Sequence, residues 1–474
     1  MRSKVVGRYL GKVLMSFSIT LLFPLLIALI YKESVLPFII TGLISLVIGF
    51  LLFIIFKNND DLYAKEGFII VSLSWVIISI LSGIPYMISA KVPFSSAFFE
   101  ASSGLSTTGA TIFADVEKLS KSILFWRSFT HFLGGMGVLA FVMAIVPLSK
   151  KDKSMHVLKA EMPGVEVAKL VPSIKKTLFY LYFIYVGLTL SEVILLIIFK
   201  MPLFDSILIS FGTAGTGGFA LLNSSLASYT VGAKVVVTIF MLLFGVNFNI
   251  YFLILMKDIK SALKSEELRT YIIIYIISVV FIVFNTYKYF SNIGEAILEG
   301  AFHISSFITS TGYSIGNVDM YPTNCRIVVL LLMLISACAG STCGGFKMSR
   351  LIICVKKIKR DLTKLVHPNM VKDIKFEGKK LDDAAIESTT SFLLLYVIII
   401  ILIMFAISFD PLKLSLSECV SATFTAFANV GLTFDIANFS LFSPFSKMVL
   451  SIGMLLGRLE IFPVIVLFTN INKS

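Results

Sequence analysis

The amino-acid sequence predicts an all-α polytopic membrane protein, and three observations support this fold class. Hydrophobic residues make up 57% of the 474 residues and charged residues only 15%, with a mean hydropathy of +0.93. A soluble domain is about 45–50% apolar and could not hide so much more apolar surface. Several apolar runs reach about twenty residues, long enough to cross a bilayer as a helix. Between these runs, a polar stretch centred on glycine occurs four times.

The first apolar run is interpreted as a retained membrane span, although basic residues precede it as they do in a signal peptide. It extends from Val13 to Tyr31, which is too long for a typical signal peptide, and no small-residue cleavage site follows. We expect ten spans in total, with the sixth and the tenth continuous. They lie at about residues 13–31, 36–56, 67–90, 122–148, 177–199, 230–256, 270–290, 324–354, 386–409 and 445–469.

The distribution of basic residues predicts the orientation of these spans. The N-terminus and alternate connecting segments hold 27 of the 41 Lys and Arg residues. Because loops rich in Lys and Arg face the cytoplasm, both termini are predicted to be cytoplasmic. The net charge of +13 is then mainly a topology signal. Nucleic-acid binding is disfavoured, because the basic residues form no recognition motif.

The four glycine-centred stretches form an internal repeat with a spacing near 100 residues. Aligned on glycine they read "SSGLSTTGAT", "SFGTAGTGGF", "SSFITSTGYS" and "FTAFANVGLT", and the aligned glycines are Gly109, Gly217, Gly312 and Gly431. Each stretch follows an apolar piece too short to cross a bilayer. The spacing therefore predicts four units of membrane helix, half-length helix and membrane helix.

Such a unit is suited to a cation-selective pore. Ser415-x-x-Glu418 and Asn292-x-x-Glu295 are predicted capping boxes that begin two of the half-length helices. The C-terminal end of a helix carries roughly half a negative charge, and extended backbone after it offers carbonyl oxygens that replace the water around an ion. Any one Thr-Gly step alone would more often be a helix kink or a packing contact. Four in register favour a selectivity filter.

The eighth span contains a second irregularity, the segment 339–345. It holds Gly340, Gly344 and Gly345, which would cost a continuous helix roughly 2–3 kcal/mol relative to alanine. Close helix packing is one interpretation, and a loop that obstructs the pore is the favoured one. Arg458, within the tenth span, is predicted to meet this loop, since a charge there is costly unless it is paired or faces water. Snorkelling to the cytoplasm is the alternative.

Three stretches resemble the Trk/Ktr/HKT superfamily of potassium transporters: "WRSFTHFLGGMGVLAF" at 126–141, "AGSTCGGFKMSR" at 339–350 and "GRLEIFPV" at 457–464. The resemblance implies four pore repeats around one central pore, preceded by two additional transmembrane helices. It also implies K+ as the transported ion, a homodimer in membrane lipid, and a cytosolic nucleotide-binding regulatory subunit, a TrkA-like ring. The basic segments 149–176 and 356–384 are the expected docking loops for that ring.

The resemblance and the repeat together give a domain plan and a set of site residues. The domains are an N-terminal two-helix domain (1–62) and pore repeats at 63–172, 173–265, 266–382 and 383–474. The predicted K+ filter consists of Thr107, Thr108, Gly109, Gly215, Thr216, Gly217, Ser310, Thr311, Gly312, Asn429, Val430 and Gly431. The predicted gate consists of Gly340, Ser341, Thr342, Gly344, Gly345 and Arg458.

Potassium uptake across the cytoplasmic membrane of a prokaryote is the predicted function. In this superfamily, glycine in all four filter positions is associated with K+ passage. A Na+-permeable or weakly selective transporter of the same superfamily is the alternative. A membrane-embedded enzyme is disfavoured, because no convergent catalytic residues occur within the spans. Coupling to H+ or Na+ is left open by the sequence.

Overall fold

The computed structural model describes residues 3–56, 64–135, 137, 174–369, 373–436, 438–459 and 461. Its elements are mostly helices, with one two-stranded antiparallel hairpin. The elements are α1 (Ser3–Thr20), α2 (Leu22–Ile30), α3 (Leu36–Ile55), α4 (Ala64–Ser89), α5 (Phe94–Leu105), α6 (Lys121–Gly135), α7 (Ile174–Ile198), α8 (Leu203–Gly215), α9 (Val231–Phe244), α10 (Phe248–Leu255), α11 (Ile259–Lys264), α12 (Glu266–Thr286), α13 (Ile293–Ile308), α14 (Thr323–Leu334), α15 (Met348–Val366), β1 (Lys375–Phe376), β2 (Lys379–Lys380), α16 (Asp383–Ile407), α17 (Leu416–Phe427) and α18 (Pro444–Arg458).

The first helices form a closely packed pair outside the four repeats. Gly11 of α1 and Gly49 of α3 lie directly against each other, and a Cβ atom at Gly11 would come within 2.6 Å of the carbonyl oxygen of Gly49. Small residues of this kind let two membrane helices approach closely, and van der Waals contact then holds them together. The apolar side chains that face away from this contact are largely exposed, as expected for a surface that meets lipid.

The remaining elements follow the predicted order of membrane helix, half-length helix and second helix. The half-length helices are α5, α8, α13 and α17, and they contain 12, 13, 16 and 12 residues. Within the described residues, six helical segments are long and apolar enough to cross a membrane, or seven if the bent pair α9–α10 is one span. The all-α polytopic membrane fold is thereby confirmed.

Each half-length helix packs against the second helix of the preceding unit. α8 contacts α6, α13 contacts α9, and α17 contacts α14. The first half-length helix, α5, contacts α18 of the last unit. This cyclic pattern closes the four units into a ring.

The sixth span is not continuous, contrary to the prediction. Its two halves, α9 and α10, are bent by 91° at Gly245–Asn247. The Asn247 side chain accepts a hydrogen bond from the Asn249 N–H and so begins the second half. A Cβ atom at Gly245 would come within 2.6 Å of the Tyr271 hydroxyl, so the break is closely packed.

The tenth span is also not a continuous helix, contrary to the prediction. Helix α18 stops at Arg458, and Ile461 has a positive φ of 61°. Helix α6 similarly ends at Gly135, and Gly137 has a φ of 66°. Among the described residues, the second helix of each unit therefore ends or breaks, at Gly135, Phe244, Leu334 and Arg458. The later parts of the predicted fourth and tenth spans lie outside the described residues.

Candidate ion pathway

The four half-length helices end with the same backbone geometry, which aligns the repeats without reference to sequence. In each unit an N–H donates to the carbonyl five residues earlier: Thr108 to Ser103, Gly217 to Gly212, Thr311 to Ser306 and Val430 to Thr425. The residue before each donor is left-handed, with φ between 53° and 58°, and these residues are Thr107, Thr216, Ser310 and Asn429. The residue after each donor is a glycine whose φ lies between 71° and 86°.

This geometry corrects the register of the second repeat by one residue. The glycines with positive φ are Gly109, Gly218, Gly312 and Gly431, so Gly218 rather than Gly217 corresponds to Gly109. Gly217 takes the place of Thr108, and Gly215 is the last residue of α8. The sequence offers two adjacent glycines at this point, and the alignment on Thr-Gly selects the wrong one. We call the segments 107–109, 216–218, 310–312 and 429–431 the ring quarters.

The ring quarters contact one another in a closed cycle. A Cβ atom added to Gly109 would overlap the carbonyl oxygen of Gly217, and one added to Gly218 would overlap that of Thr311. The same relation holds between Gly312 and Val430, and between Gly431 and Thr108. Each glycine thus lies against the carbonyl that precedes the next glycine. Only glycine adopts this positive φ readily and leaves space for the neighbouring backbone.

Polar side chains connect and support the ring quarters from behind. The Asn429 Nδ2 donates to Thr108 Oγ1 at 2.9 Å and to the Met454 carbonyl at 2.9 Å. The Thr108 hydroxyl also pairs with Ser106 Oγ at 2.7 Å, and Thr309 and Thr311 form an equivalent pair at 2.7 Å. All these side chains are buried. Hydrogen bonds of this kind fix the backbone that carries the ring carbonyls.

A buried ion pair, which was not predicted from the sequence, holds the extended segments that follow the first two ring quarters. Arg127 Nε lies 2.8 Å from Glu100 Oε1, and both side chains are at most 2% exposed. Glu100 also accepts the Ile112 N–H at 2.9 Å, while Arg127 donates to the Ala220 carbonyl and stacks on Phe219 at 4.1 Å. The pair joins α5 to α6 across 27 residues, and no short-range pattern reveals such a partner.

Two buried histidines are packed polar residues that hold backbone groups. The His131 Nδ1 lies 2.8 Å from the Gly104 carbonyl, and its Nε2 accepts the Phe219 N–H at 3.2 Å. The His303 Nδ1 lies 2.7 Å from the Tyr321 hydroxyl, and its Nε2 accepts the Ile315 N–H at 3.3 Å. Each imidazole therefore secures the backbone that follows a ring quarter.

The segment between α14 and α15 is non-helical and lies directly against the ring. We call residues 335–347 the inner loop. Thr216 Oγ1 donates to the Thr342 carbonyl at 2.9 Å, and the Gly344 N–H donates to Ser310 Oγ at 3.0 Å. A Cβ atom at Gly344 would come within 2.8 Å of the Ala428 carbonyl oxygen. The loop thus touches the second, third and fourth units at the level of the left-handed residues.

Arg458 meets the inner loop. Its Nη1 donates to the Thr342 carbonyl at 2.6 Å, and its Nη2 donates to the carbonyls of Gly134 and Gly135. The arginine therefore connects the loop to the ends of α18 and α6. A guanidinium has five N–H donors, which suits it to bridge several carbonyls where helices end.

Two features absent from the sequence prediction anchor the inner loop. The broken sixth span supplies the first: Cys338 N–H donates to the Gly245 carbonyl, and Phe248 N–H donates to the Gly340 carbonyl. Irregular backbone at membrane depth requires such internal partners. The second is Glu267, which is 3% exposed and whose Oε1 accepts N–H groups from Ala339 at 2.7 Å and from Ser349 at 3.0 Å. One carboxylate thereby joins the inner loop to the first turn of α15.

Acidic residues in the segments that follow the ring quarters connect these segments to neighbouring units. Asn223 of the second unit bonds Asp115 at 2.8 Å and Glu117 at 2.9 Å. The hydrogen bond from Asn223, with help from the nearby Lys118 ammonium, holds the pKa of Asp115 below its usual value. Arg326 and the fourth unit's Asp435 are 3.0 Å apart. The outer carboxylates therefore have structural partners in addition to any attraction for cations.

All the residues predicted for the filter lie in or beside the ring quarters. The glycine, serine and threonine residues predicted for the gate lie in the inner loop, and Arg458 contacts that loop. The capping box of Ser415 and Glu418 is present at the start of α17. Asn292 caps α13 by accepting the Glu295 N–H. The predicted docking segment 149–176 falls almost entirely outside the described residues.

The chain is similar to known proteins over nearly its whole length. The family described as TrkH, cation transport protein, matches residues 36–474. The chain is 32% identical to the Trk system potassium uptake protein TrkH of Salmonella typhimurium, over 99% of both chains. It is 31% identical to the Trk system potassium uptake protein TrkG of Escherichia coli K12, over 98% of both. The crystal structure of the potassium transporter TrkH from Vibrio parahaemolyticus superposes with a TM-score of 0.89, at 28% identity and 99% coverage of both chains.

The fold and the ring define a class of protein: a multi-pass membrane transporter for cations rather than an enzyme. Within this class the family can be stated. The chain belongs to the TrkH family of cation transport proteins, which confirms the resemblance that its sequence motifs indicated.

Proposed function

We propose that this protein takes up K+ through a pore whose selectivity filter is the four-quarter ring. The observation that carries the proposal is the closed cycle in which each glycine lies against the carbonyl before the next glycine. The relatives are named potassium uptake proteins, which supports K+ as the ion. A ring of backbone carbonyls replaces the hydration shell of a monovalent cation and requires no acidic ligands.

The half-length helices contribute a second attraction for cations. Their C-terminal ends meet at the ring, where each contributes roughly half a negative charge from unsatisfied carbonyls. Ser106, Thr107 and Thr108 follow the end of the first of these helices and are all fully buried. In a site shielded from water, partial charges act more strongly than they would in bulk solvent. A cation entering from the outer side therefore loses water while it gains carbonyl contacts.

We assign the gate to the inner loop together with Arg458. The loop lies across the inner side of three ring quarters, and Arg458 donates to its Thr342 carbonyl. A guanidinium beside the path of a cation adds electrostatic repulsion to the steric obstruction. Opening requires these few hydrogen bonds to be exchanged, and the positive-φ glycines Gly340 and Gly345 accommodate a change of backbone path.

The remaining parts of the proposal concern the membrane and the partners. In this proposal the protein lies in the cytoplasmic membrane of a prokaryote, and the excess of Lys and Arg in the N-terminus and alternate connecting segments supports cytoplasmic termini. A cytosolic nucleotide-binding ring acts on the gate from that side, and two copies of the chain assemble as a dimer. Segment 356–384 is basic and provides a docking surface for the cytosolic nucleotide-binding ring.

Ion uptake in cells that lack their own K+ transporters tests the proposal. Cells that produce this protein and its cognate ring should accumulate K+ or its analogue Rb+ at low external concentration, and excess Na+ should compete weakly. Strong competition by Na+, or Na+ uptake at a similar rate, would instead support the weakly selective transporter. Cells with the empty vector and cells with a Gly312→Asp protein are the controls.

A further inference from the structure

The second ring quarter lacks a side chain that the other three possess. At the position before the ring glycine, the first, third and fourth quarters have Thr108, Thr311 and Val430, and all three are fully buried behind the ring. The second quarter has Gly217 there. Its φ is not in the left-handed region, because Gly217 is absent from the positive-φ residues of the described chain. The backbone at this position therefore does not require glycine.

The imidazole of His131 occupies the place of the missing side chain. A Cβ atom added to Gly217 would overlap Cγ and Nδ1 of the His131 ring. His131 belongs to α6 of the first unit, is fully buried, and stacks on Phe219 with ring centroids 4.2 Å apart. The second quarter is thus supported by a side chain from the neighbouring unit.

The hydrogen bonds of His131 determine its tautomer and its orientation. Because Phe219 N–H is a donor, Nε2 carries no proton, and Nδ1–H donates to the Gly104 carbonyl. The neutral imidazole therefore connects the end of α5 to the backbone of Phe219, which follows Gly218. A ring held at both nitrogens and against one face is rigid, and it fixes the Gly217 carbonyl that lies against Gly109.

We propose that His131 is a positioning residue for ion selectivity, which supplies to the second quarter the support that Thr108, Thr311 and Val430 give to their own quarters. This inference rests on the proposed function of the ring as a K+ filter. It makes a specific claim about shape: His131 and Gly217 are complementary, so that a large residue at one position requires a small residue at the other.

A double-substitution cycle tests this complementarity. His131→Ala leaves a space behind the Gly217 carbonyl and removes two hydrogen bonds, so the ratio of K+ to Na+ uptake should fall by about tenfold. Gly217→Thr should lower the ratio of K+ to Na+ uptake by a similar factor, because the threonine side chain collides with the imidazole. In the protein with both changes, the threonine fills the space that the imidazole leaves, and the ratio should recover to within about threefold of the original.

His303→Ala is the matched control. It also removes an imidazole that bonds a backbone N–H after a ring quarter, yet none of the ring glycines lies against His303. Gly217→Thr should therefore give no recovery when combined with His303→Ala. His131→Gln, which retains an acceptor and a donor on a planar amide, should keep most of the selectivity.

Three outcomes would overturn the inference. The first is a ratio of K+ to Na+ uptake in His131→Ala equal to that of the unaltered protein. The second is a ratio in the double variant no higher than that of the poorer single variant. The third is equal recovery with His303→Ala. If His131→Ala yields no folded protein, Gly217→Ala and its combination with His131→Gln replace it. Gly217→Ala should lower the uptake ratio because its Cβ atom overlaps the imidazole, and the more flexible glutamine side chain in the double variant should restore it.

A second readout separates failure of this inference from failure of the proposed function. Thermal unfolding of the purified protein in K+ and in Na+ reports ion preference without transport, because an ion that binds the folded state raises its midpoint. Loss of the K+-specific shift in His131→Ala and its return in the double variant would support the inference even if uptake were absent. A shift that K+ and Na+ produce equally in the unaltered protein would contradict the K+ filter itself.

Discussion

Asn429 donates a hydrogen bond from Nδ2 to Oγ1 of Thr108 at 2.9 Å, although the two residues are 321 positions apart. The contact lies at the seam where the last ring quarter meets the first. A ring made from one chain has a single such seam, because the other quarters follow one another along the sequence. The second Nδ2 bond, to the Met454 carbonyl, fixes the amide against α18.

Asn429→Leu is expected to weaken this seam. Leucine has a similar volume but no donor, so Thr108 Oγ1 and the Met454 carbonyl each lose a hydrogen bond, at a cost of about 1–3 kcal/mol. The midpoint of thermal unfolding should fall, and the ratio of K+ to Na+ uptake should fall with it. Asn285→Leu, which removes a half-buried asparagine near the end of α12, is the control. An unchanged midpoint together with unchanged selectivity would show that the seam does not depend on this amide.

Gly109→Ser is expected to reduce the preference for K+. Its φ of 85° costs a residue with a side chain about 1–2 kcal/mol, and the new Cβ atom would also overlap the Gly217 carbonyl oxygen. The K+ to Na+ uptake ratio should drop by about tenfold or more. Gly187→Ser is a matched control, since no atom lies within 4 Å of a Cβ atom at Gly187. Wild-type discrimination in a folded Gly109→Ser protein would refute the assignment of the first quarter.

Deletion of Gly340–Gly345 is expected to open the pore. It removes the Thr342 carbonyl and the Gly344 N–H that contact the ring, so initial K+ uptake into vesicles without the cytosolic ring should rise by about tenfold. Arg458→Ala should act in the same direction by less, because the loop keeps its other contacts. If the deleted protein folds but its flux stays low and partner-dependent, the gate lies elsewhere.

Glu267 is expected to stabilise the closed inner loop. Glu267→Ala removes the acceptor shared by Ala339 and Ser349, so basal K+ flux should rise, while the K+ to Na+ ratio should stay unchanged because the ring is not touched. Glu267→Gln keeps one acceptor oxygen and should be intermediate. The exposed Glu387→Gln serves as the control. Flux equal to wild type in Glu267→Ala, in a preparation where loop deletion raises it, would show that other contacts hold the loop.

The docking surface for the cytosolic ring is expected on the exposed face of α15. Lys356 bonds Glu266, and Lys357 bonds Thr390, so charge reversal there would disturb the fold itself. Lys359 and Lys364 are exposed, and converting both to Glu should weaken co-purification with the ring by about tenfold at physiological salt. Lys91→Glu on the opposite side of the membrane is the control. Retention of the full complex would mean that these lysines set topology only.

The sequence predicts those features that depend on local pattern. Half-length apolar pieces, the Thr-Gly steps at Gly109 and Gly312, and the glycine-rich segment 339–345 all stand out against apolar surroundings. The register at Gly217 and Gly218 could not be predicted, because both residues are glycine and only φ separates their roles.

Long-range partners also escaped prediction, for a physical reason. The break at Gly245–Asn247 occurs in a segment whose apolar composition is that of a continuous helix. Its freed carbonyl is satisfied by Cys338, about ninety positions away. Similarly, Glu267 reads as an ordinary acidic residue in the first turn of α12. Its importance arises only from what folding brings to it.

Because the four ring quarters belong to one chain, each can change alone. In a pore built from four identical subunits, a substitution appears four times at once, and a support such as His131 or an obstruction such as the inner loop would have to fit four times around one axis. Here the first unit supports the second quarter, and the third unit supplies the inner loop. Selectivity and closure can therefore evolve separately. Each substitution changes one quarter of the pore here, whereas it would change all four quarters of a symmetric assembly.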